Sequence, residues 1–123
     1  MQIKIIINED VYLQGILNET STAQKVYAAL PIKGQGKTWG EEIYFASDVE
    51  APLDNPREIL QAGEIAYWPP MQALCIFFGP TPASRGDEIR AAGPVNIIGR
   101  IEGDLSILRN LREPLDIMIT KNN

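Results

Sequence analysis

The feature that most constrains the fold is the segment from Gly63 to Pro82, in which two apolar runs flank a pair of prolines. A proline has no backbone N–H to donate to a sheet, and it biases the preceding residue to extended geometry. The first run, which starts at Glu64, is therefore expected to leave the sheet at Trp68, and the second to re-enter it near Ala73. The segment predicts two neighbouring strands joined at a proline turn.

The composition is that of one globular domain spanning residues 1–123, because 45% of the residues are apolar and 22% are charged. The formal net charge is −5, with acids and bases interspersed, which argues against nucleic acid or an acidic membrane as a partner. The chain has no histidine, which excludes serine–histidine and cysteine–histidine catalysis and the commonest zinc ligand sets. The single cysteine, Cys75, lies in an apolar run and is expected to be buried. No cofactor is expected.

The N-terminus begins directly with a strand pattern and shows no apolar segment followed by a cleavage site. The longest apolar run is far shorter than the roughly 20 residues that span a bilayer. We therefore expect a cytoplasmic protein.

The first 31 residues predict a hairpin followed by a helix. Apolar residues alternate from Ile3 to Ile7, turn residues follow, and a second apolar run extends from Val11 to Leu17, as in two antiparallel strands. Ser21 and Gln24 have the spacing of a capping box, and a helix from Thr22 to Leu30 is predicted to end before Pro31.

Two segments carry weak ligand signals. The sequence Gly34-Gln35-Gly36-Lys37-Thr38 superficially resembles a phosphate-binding loop, but it lacks the full glycine spacing, and a glycine-kinked strand or bulge is the better interpretation. The loop from Ser47 to Pro56 carries three acids that could bind a hard cation, namely Asp48, Glu50 and Asp54. Without the glycine and terminal glutamate of a calcium loop, a solvated surface is preferred.

The C-terminal part alternates between short apolar runs and breaks. A polar loop is predicted from Ala83 to Pro94 and a strand from Val95 to Ile101. A short helix from Leu105 to Leu111 follows, with Asp104 as N-cap, and a strand from Leu115 to Ile119 closes the chain. Short strands with two brief helices predict a mainly β fold, in which a closed barrel leaves no exposed edge.

At this point the sequence resembles the cyclophilins. The run Phe77-Phe78-Gly79-Pro80-Thr81-Pro82, followed by Ile97-Ile98-Gly99-Arg100-Ile101-Glu102-Gly103-Asp104, looks like their Phe-Phe strand, Thr-Pro corner and Phe-Gly-Arg-Val-x-x-Gly-Met segment. The Tyr67-Trp68-Pro69-Pro70 run and the overall size look more like the small prokaryotic cyclophilin-like proteins of unknown function. The resemblance covers nearly the whole chain. It implies a cyclophilin-like β-barrel of about eight strands capped by two short helices.

The resemblance does not extend to the residues with which cyclophilins isomerise X-Pro bonds. Aligned on Thr81-Pro82, Ala73 stands where the glutamine would be, Cys75 where a groove phenylalanine would be, and Ala83 where the tryptophan would be. No arginine lies between Gly34 and Phe45 to match the catalytic one, and the histidine is absent from the chain. An active peptidyl-prolyl isomerase is therefore not expected.

The leading hypothesis is a binding module that uses the remodelled groove for a small molecule or a peptide. The alignment places Trp68 and Pro69 beside the vacated groove, and Cys75 takes the position of a groove phenylalanine. Trp39 and Tyr44 lie on the segment that would form the neighbouring wall. Arg85, just after the Thr-Pro corner, is a candidate anion-binding group. Concave sites with a few aromatic side chains and one charge are the usual form of such pockets.

Two other functions stay open. Cyclophilin-like domains also resemble parts of amidolyase and oxoprolinase-type assemblies, which implies an enzyme or enzyme subunit with Glu41 or Glu42 as acid or base. Neighbours on a strand point to opposite faces, so these two carboxylates are not expected to act as a pair. The other alternative is a structural module that forms a homodimer through an apolar outer face. A groove with a pKa-perturbed carboxylate would favour the enzyme, and a flat apolar patch at a two-fold axis would favour the dimer.

Overall fold

The computed structural model describes all of residues 1–123. It contains nine strands, one α-helix and two short 3₁₀ turns. The strands are β1 (Gln2–Ile7), β2 (Val11–Leu17), β3 (Ile32–Thr38), β4 (Glu42–Ala46), β5 (Arg57–Leu60), β6 (Glu64–Trp68), β7 (Ala73–Phe77), β8 (Ile89–Glu102) and β9 (Leu115–Lys121). Helix α1 spans Ser21–Ala29, and the 3₁₀ turns span Pro69–Met71 and Ser106–Asn110.

Eight of the strands form a closed ring in the order β2-β1-β9-β3-β4-β7-β6-β8, because β8 pairs back onto β2. All of these pairings are antiparallel. Strand β5 lies outside the ring and pairs only with β8. Closure removes the unpaired edges that would otherwise template association with another chain. The mainly β architecture expected from the sequence, with about eight strands closed on themselves, is confirmed.

Strand β7 is buried on both faces, and this defines two apolar clusters. Leu74 and Ile76 point into the ring, where they join a core of 24 buried residues. Ala73, Cys75 and Phe77 point outward into a second cluster of eight buried residues that β5, β6 and β8 complete. Because alternate residues of a strand face opposite sides, the outer face of β7 becomes the floor of a covered region outside the ring.

Helix α1 lies where it was predicted, but its cap differs by one residue. Thr20 is the N-cap, and its hydroxyl oxygen accepts a hydrogen bond from the Ala23 N–H at 3.2 Å. The Gln24 side chain donates to the Glu19 carbonyl at 2.8 Å rather than returning to Ser21. The capping-box pairing of Ser21 with Gln24 is therefore wrong.

The predicted helix from Leu105 to Leu111 is a 3₁₀ turn over Ser106–Asn110. Its leucines recur at every third residue, which is the period of a 3₁₀ helix. Asp104 still acts at its start, because its carboxylate accepts the Ser106 N–H at 2.9 Å.

The loop predicted from Ala83 to Pro94 is shorter in the structure, since β8 already begins at Ile89. The extra length of β8 pairs with β5, a strand that the sequence did not predict. The glycine segment from Gly34 lies within β3, whose register with β9 is continuous, so neither a phosphate loop nor a bulge is present there. A Cβ atom at Gly34 would overlap the ring of Phe45, which explains a glycine in this strand. The structure contains no helix with the length and apolar character needed to cross a membrane.

Candidate functional site

A groove of about 330 Å³ lies on the outer face of the ring, over the second apolar cluster. Nine of its ten lining residues are apolar or aromatic, and the tenth is a glutamate. The lining residues are Trp39, Glu42, Tyr44, Trp68, Met71, Cys75, Phe77, Ala91, Ala92 and Val95. Both tryptophans of the chain and its only cysteine are among them.

Strand alternation places the side chains of the two adjoining walls. On β4, Ile43 and Phe45 belong to the ring core, so Glu42 and Tyr44 face outward into the groove. On β7, Cys75 pairs opposite Tyr44, and Phe77 pairs opposite Glu42. The register of this one strand pair therefore brings a carboxyl, a phenol, a thiol and a phenyl ring onto one surface.

A tight turn between β3 and β4 positions Trp39 next to Glu42. The two residues exchange backbone hydrogen bonds, from Trp39 N–H at 2.9 Å and from Glu42 N–H at 3.2 Å, around Gly40 and Glu41. Gly40 has a φ of 60°, as the first central position of this kind of hairpin turn requires. A Cβ atom at Gly40 would lie 2.8 Å from both Pro82 Cδ and Thr81 Cα, so the turn is packed against the Thr-Pro corner.

The opposite end of the groove is built by the proline turn that follows β6. Trp68 ends β6, and Met71 forms an exposed rim in the 3₁₀ turn. Gln72 closes this turn in a left-handed conformation, with a φ of 51°. Its carbonyl accepts hydrogen bonds from the Ser47 N–H at 2.9 Å and from the Ser47 hydroxyl at 2.8 Å. The turn is thus fixed to the loop that follows β4.

Glu42 is the only charged residue in the groove and is nearly buried, with 6% of its surface exposed. Burial raises the pKa of its carboxyl from 4.5 to about 7. A hydrogen bond with the thiol of Cys75 lowers this pKa and so offsets part of the effect of burial. The pKa of Cys75 is raised well above its usual value, first by burial and then by the charge of Glu42. The groove therefore contains a carboxyl that titrates near neutral pH beside a thiol that stays protonated.

Tyr44 differs from the other three tyrosines of the chain. The hydroxyls of Tyr12, Tyr27 and Tyr67 each donate a hydrogen bond within the protein, whereas the hydroxyl of Tyr44 has no such partner. No fully buried side-chain oxygen or nitrogen is left without a partner in the structure. The Tyr44 hydroxyl is therefore accessible to whatever occupies the groove.

The structure brings four of the five sequence-predicted site residues together: Trp39, Tyr44, Trp68 and Cys75. Arg85 is exposed on the loop between β7 and β8 and does not line the groove. Its backbone instead helps to lower the pKa of Glu88, after the larger effect of Arg90.

Glu41 and Glu42 face apart, as strand alternation predicted. Glu41 pairs with Arg109, with Oε2 and Nε 2.9 Å apart, and lies outside the groove. Glu42 was named only as one member of a catalytic alternative, although its position two residues before Tyr44 places it on the groove face. Two of the groove residues on β8, Ala91 and Ala92, carried no such signal, because they fall in the segment that was predicted as a loop. Val95 falls at the start of the predicted strand but was not named as a site residue.

The remaining depressions offer less convergent chemistry. A larger one, of about 500 Å³, lies between α1 and the loop after β4, and its lining mixes both signs of charge, including Lys25, Lys33, Asp48 and Glu50. No group of three or more His, Cys, Asp or Glu side chains is arranged to hold a metal ion. The three acids of the Ser47–Pro56 loop are accordingly not gathered into such a group.

Comparisons with known proteins agree with this architecture. The solution structure of the hypothetical protein AF2241 from Archaeoglobus fulgidus is similar, with a TM-score of 0.83, 31% identity, and coverage of 99% of this chain and 95% of that one. The structure of McbB in complex with tryptophan shares the fold at a TM-score of 0.73 and 12% identity, and the match covers 98% of this chain but 45% of that one. No relative was found among curated proteins. The model of the family described as Cyclophilin-like matches residues 1–120, and the chain therefore belongs to that family.

Proposed function

We propose that this protein is a binding module that holds a small, largely apolar molecule in the groove lined by Trp39, Tyr44, Trp68 and Cys75. The observation that carries the proposal is the combination of an apolar, aromatic-walled groove with a single carboxyl group inside it. Small-molecule sites are typically concave and mostly apolar, with a few polar groups that fix the orientation of the ligand.

The volume of the groove supports a small ligand. At about 330 Å³ it lies at the lower end of the roughly 300–1,000 Å³ that small-molecule pockets occupy. Its aromatic side chains supply contact area at a small cost in conformational entropy. The groove lacks the arginine, glutamine and histidine with which the cyclophilins isomerise X-Pro bonds. The proposed activity is therefore ligand binding alone.

Intrinsic fluorescence provides a direct test, because both tryptophans of the chain line the groove. We expect a panel of small aromatic and aliphatic compounds to include ligands that change this fluorescence saturably. Trp68→Leu should weaken their binding at least tenfold, since it removes one wall. Tyr12→Leu is the matched control, because Tyr12 is 63% exposed and lies outside the groove. Equal loss of binding in both variants, or no saturable ligand in the panel, would contradict the proposal.

A second candidate function is acid–base catalysis by Glu42, as an enzyme or as part of an assembly of the amidolyase or oxoprolinase type. The observation that favours it is the pKa of about 7, because a general base is most effective when its pKa lies near the working pH. Elimination of 5-nitrobenzisoxazole, which needs only a base in an apolar site, tests this capacity. We expect Glu42→Gln to remove any acceleration if Glu42 is the base. An equal rate in the variant, or no acceleration in the wild type, would leave binding as the function.

A further inference from the structure

Glu42 is a carboxylate without an ionic partner. The four ion pairs of the protein are Arg57–Glu64, Arg90–Glu58, Arg90–Glu88 and Arg109–Glu41. None of them includes Glu42, and no lysine or arginine lines the groove. Buried carboxylates are normally paired or hydrogen-bonded, because an isolated charge in an apolar site is costly. The protein itself supplies neither a cation nor an N–H donor to this carboxyl.

The carboxyl group is nevertheless open to the groove. The thiol of Cys75 is the one side-chain group that hydrogen-bonds with the carboxyl, which has two oxygens. Since no fully buried side-chain oxygen in the structure lacks a partner, at least one oxygen of Glu42 is exposed to the groove. An anionic ligand would be repelled by the ionised carboxyl. A neutral apolar ligand would bury it with only the weak S–H donor of Cys75 beside it. A ligand that carries an ammonium group would satisfy it, with a charge-assisted hydrogen bond.

The walls of the groove favour the same kind of ligand. Trp39, Tyr44 and Trp68 line it together with Glu42. Aromatic rings attract cations through the negative potential of their faces, and tryptophan does so most strongly. A carboxylate beside several aromatic rings is therefore suited to a cationic group attached to an apolar body.

We propose that the ligand of this groove is a small organic ammonium ion. Its charged nitrogen pairs with the carboxylate of Glu42, and its apolar part lies between Trp39, Tyr44 and Trp68. This assignment rests on the proposed function, since it specifies the chemical class that the binding module takes.

The pairing makes binding depend on pH. The only other ionisable side chains that face Glu42 in the groove are those of Cys75 on β7 and Tyr44 on β4. Strands β6 and β8 contribute only side chains that carry no charge, namely Trp68, Ala91, Ala92 and Val95. The pKa of Cys75 is raised, so its thiol stays neutral over the relevant range. Since the pKa of Glu42 is about 7, affinity for an ammonium ion should fall roughly 30-fold from about pH 8.5 to about pH 5.5. Affinity for a neutral ligand should not fall.

Three compounds with the same ring but different charges test the inference: benzylammonium, benzyl alcohol and benzoate. Binding is measured by tryptophan fluorescence. At about pH 8, where an alkylammonium ion remains protonated, benzylammonium should bind at least tenfold more tightly than benzyl alcohol, and benzoate most weakly. Glu42→Gln should bring benzylammonium to the level of the alcohol. Glu41→Gln is the matched control, because that neighbouring carboxylate pairs with Arg109 outside the groove, and it should keep the full preference.

The outcomes separate the two proposals. If benzyl alcohol binds as tightly as benzylammonium, or if the preference survives in Glu42→Gln, the groove is a binding site but the assignment of an ammonium ligand is wrong. If none of the three compounds binds at millimolar concentration, the assignment of an ammonium ligand is wrong, and the compound panel described above decides the proposed function. The pH series uses the wild-type protein, so it decides the matter even if Glu42→Gln does not fold. A preference for benzylammonium that persists undiminished at about pH 5.5 would contradict the role of Glu42.

Discussion

The carboxyl group of Glu42 and the thiol of Cys75 lie close enough on β4 and β7 for each to shift the pKa of the other. Both groups face the same apolar groove, and both are nearly buried. Burial raises the pKa of each, while the negative charge of Glu42 raises that of Cys75 further. The pair gives the groove one group that changes its charge near neutral pH and one that does not.

The stability of the protein should decrease as pH rises through the titration of Glu42. The pKa of its carboxyl is 4.5 in the reference state and about 7 in the folded protein, so the folded state holds the proton more tightly. The free energy of unfolding therefore includes the full contribution of this proton below about pH 4.5, and the contribution is lost as pH rises through about 7. The contribution is on the order of 3 kcal/mol. Urea unfolding of wild type and Glu42→Gln at several pH values measures it.

The comparison with Glu42→Gln isolates this contribution. Glu88, Asp104 and Glu113 have lowered pKa values and therefore stabilise the fold at higher pH, but both proteins retain them. We expect the wild type to lose stability relative to the variant between about pH 5 and about pH 8. Parallel curves for the two proteins would show that Glu42 has no raised pKa.

Cys75 should react slowly with thiol reagents in the native protein. Only 1% of its surface is exposed, and its raised pKa leaves little of the reactive thiolate at neutral pH. Modification by a disulfide reagent at neutral pH should be at least a hundredfold slower than in the urea-unfolded chain. A groove ligand should slow it further. Native labelling at the rate of the unfolded chain would overturn the burial of Cys75.

The protein should not accelerate the isomerisation of X-Pro bonds. That reaction crosses a barrier of about 18–20 kcal/mol, and a protein lowers it by binding the twisted proline more tightly than the ground state. The groove has no arginine to direct at the proline nitrogen, and apolar contact with Trp68 alone would not discriminate between the two states. A proline-peptide assay at micromolar protein measures this. A clear acceleration that Trp68→Ala abolishes would show that other residues have rebuilt the activity.

Gly40→Ala should destabilise the protein more than Gly86→Ala. Both glycines have positive φ values, 60° and 66°, so alanine is strained at either position. A Cβ atom at Gly40 would also clash with Thr81 and Pro82, whereas one at Gly86 would meet nothing within 4 Å. We expect losses of about 1 kcal/mol at Gly86 and about 2–4 kcal/mol at Gly40, measured by urea unfolding. Equal losses would show that the Thr-Pro corner does not constrain the turn that carries Trp39 and Glu42.

The parts of the fold that the sequence predicted are those with strong local signals. The end of β6 at Trp68 and the start of β7 at Ala73 match the prediction, because prolines exclude the residues between them from the ladder. Strand β5 gave no such signal, since three of its four residues are exposed and its only backbone pairing is with β8. Its partner residues from Ile89 to Pro94 were missed for the same reason. Pairing between distant segments leaves little trace in the local pattern.

The candidate groove was predicted in part because strand alternation and the cyclophilin resemblance pointed to the same face. Four of the five residues named from the sequence line one groove in the structure, namely Trp39, Tyr44, Trp68 and Cys75. Arg85 was misplaced, because an arginine that follows a Thr-Pro corner carries no information about the direction of the loop. Glu42 was undervalued as a groove residue, since only the three-dimensional structure shows that no cation accompanies it.

The most direct measurement follows the two tryptophan indole N–H signals in a two-dimensional ¹H–¹⁵N NMR spectrum as benzylammonium is added. Both tryptophans line the groove, so both signals should shift with a common midpoint. Backbone signals near Tyr12, on a strand away from the groove, should remain in place. The same titration of Glu42→Gln should need at least tenfold more ligand. Indole signals that do not move in the wild type, or that move equally in both proteins, would contradict a groove in which Glu42 binds the ligand.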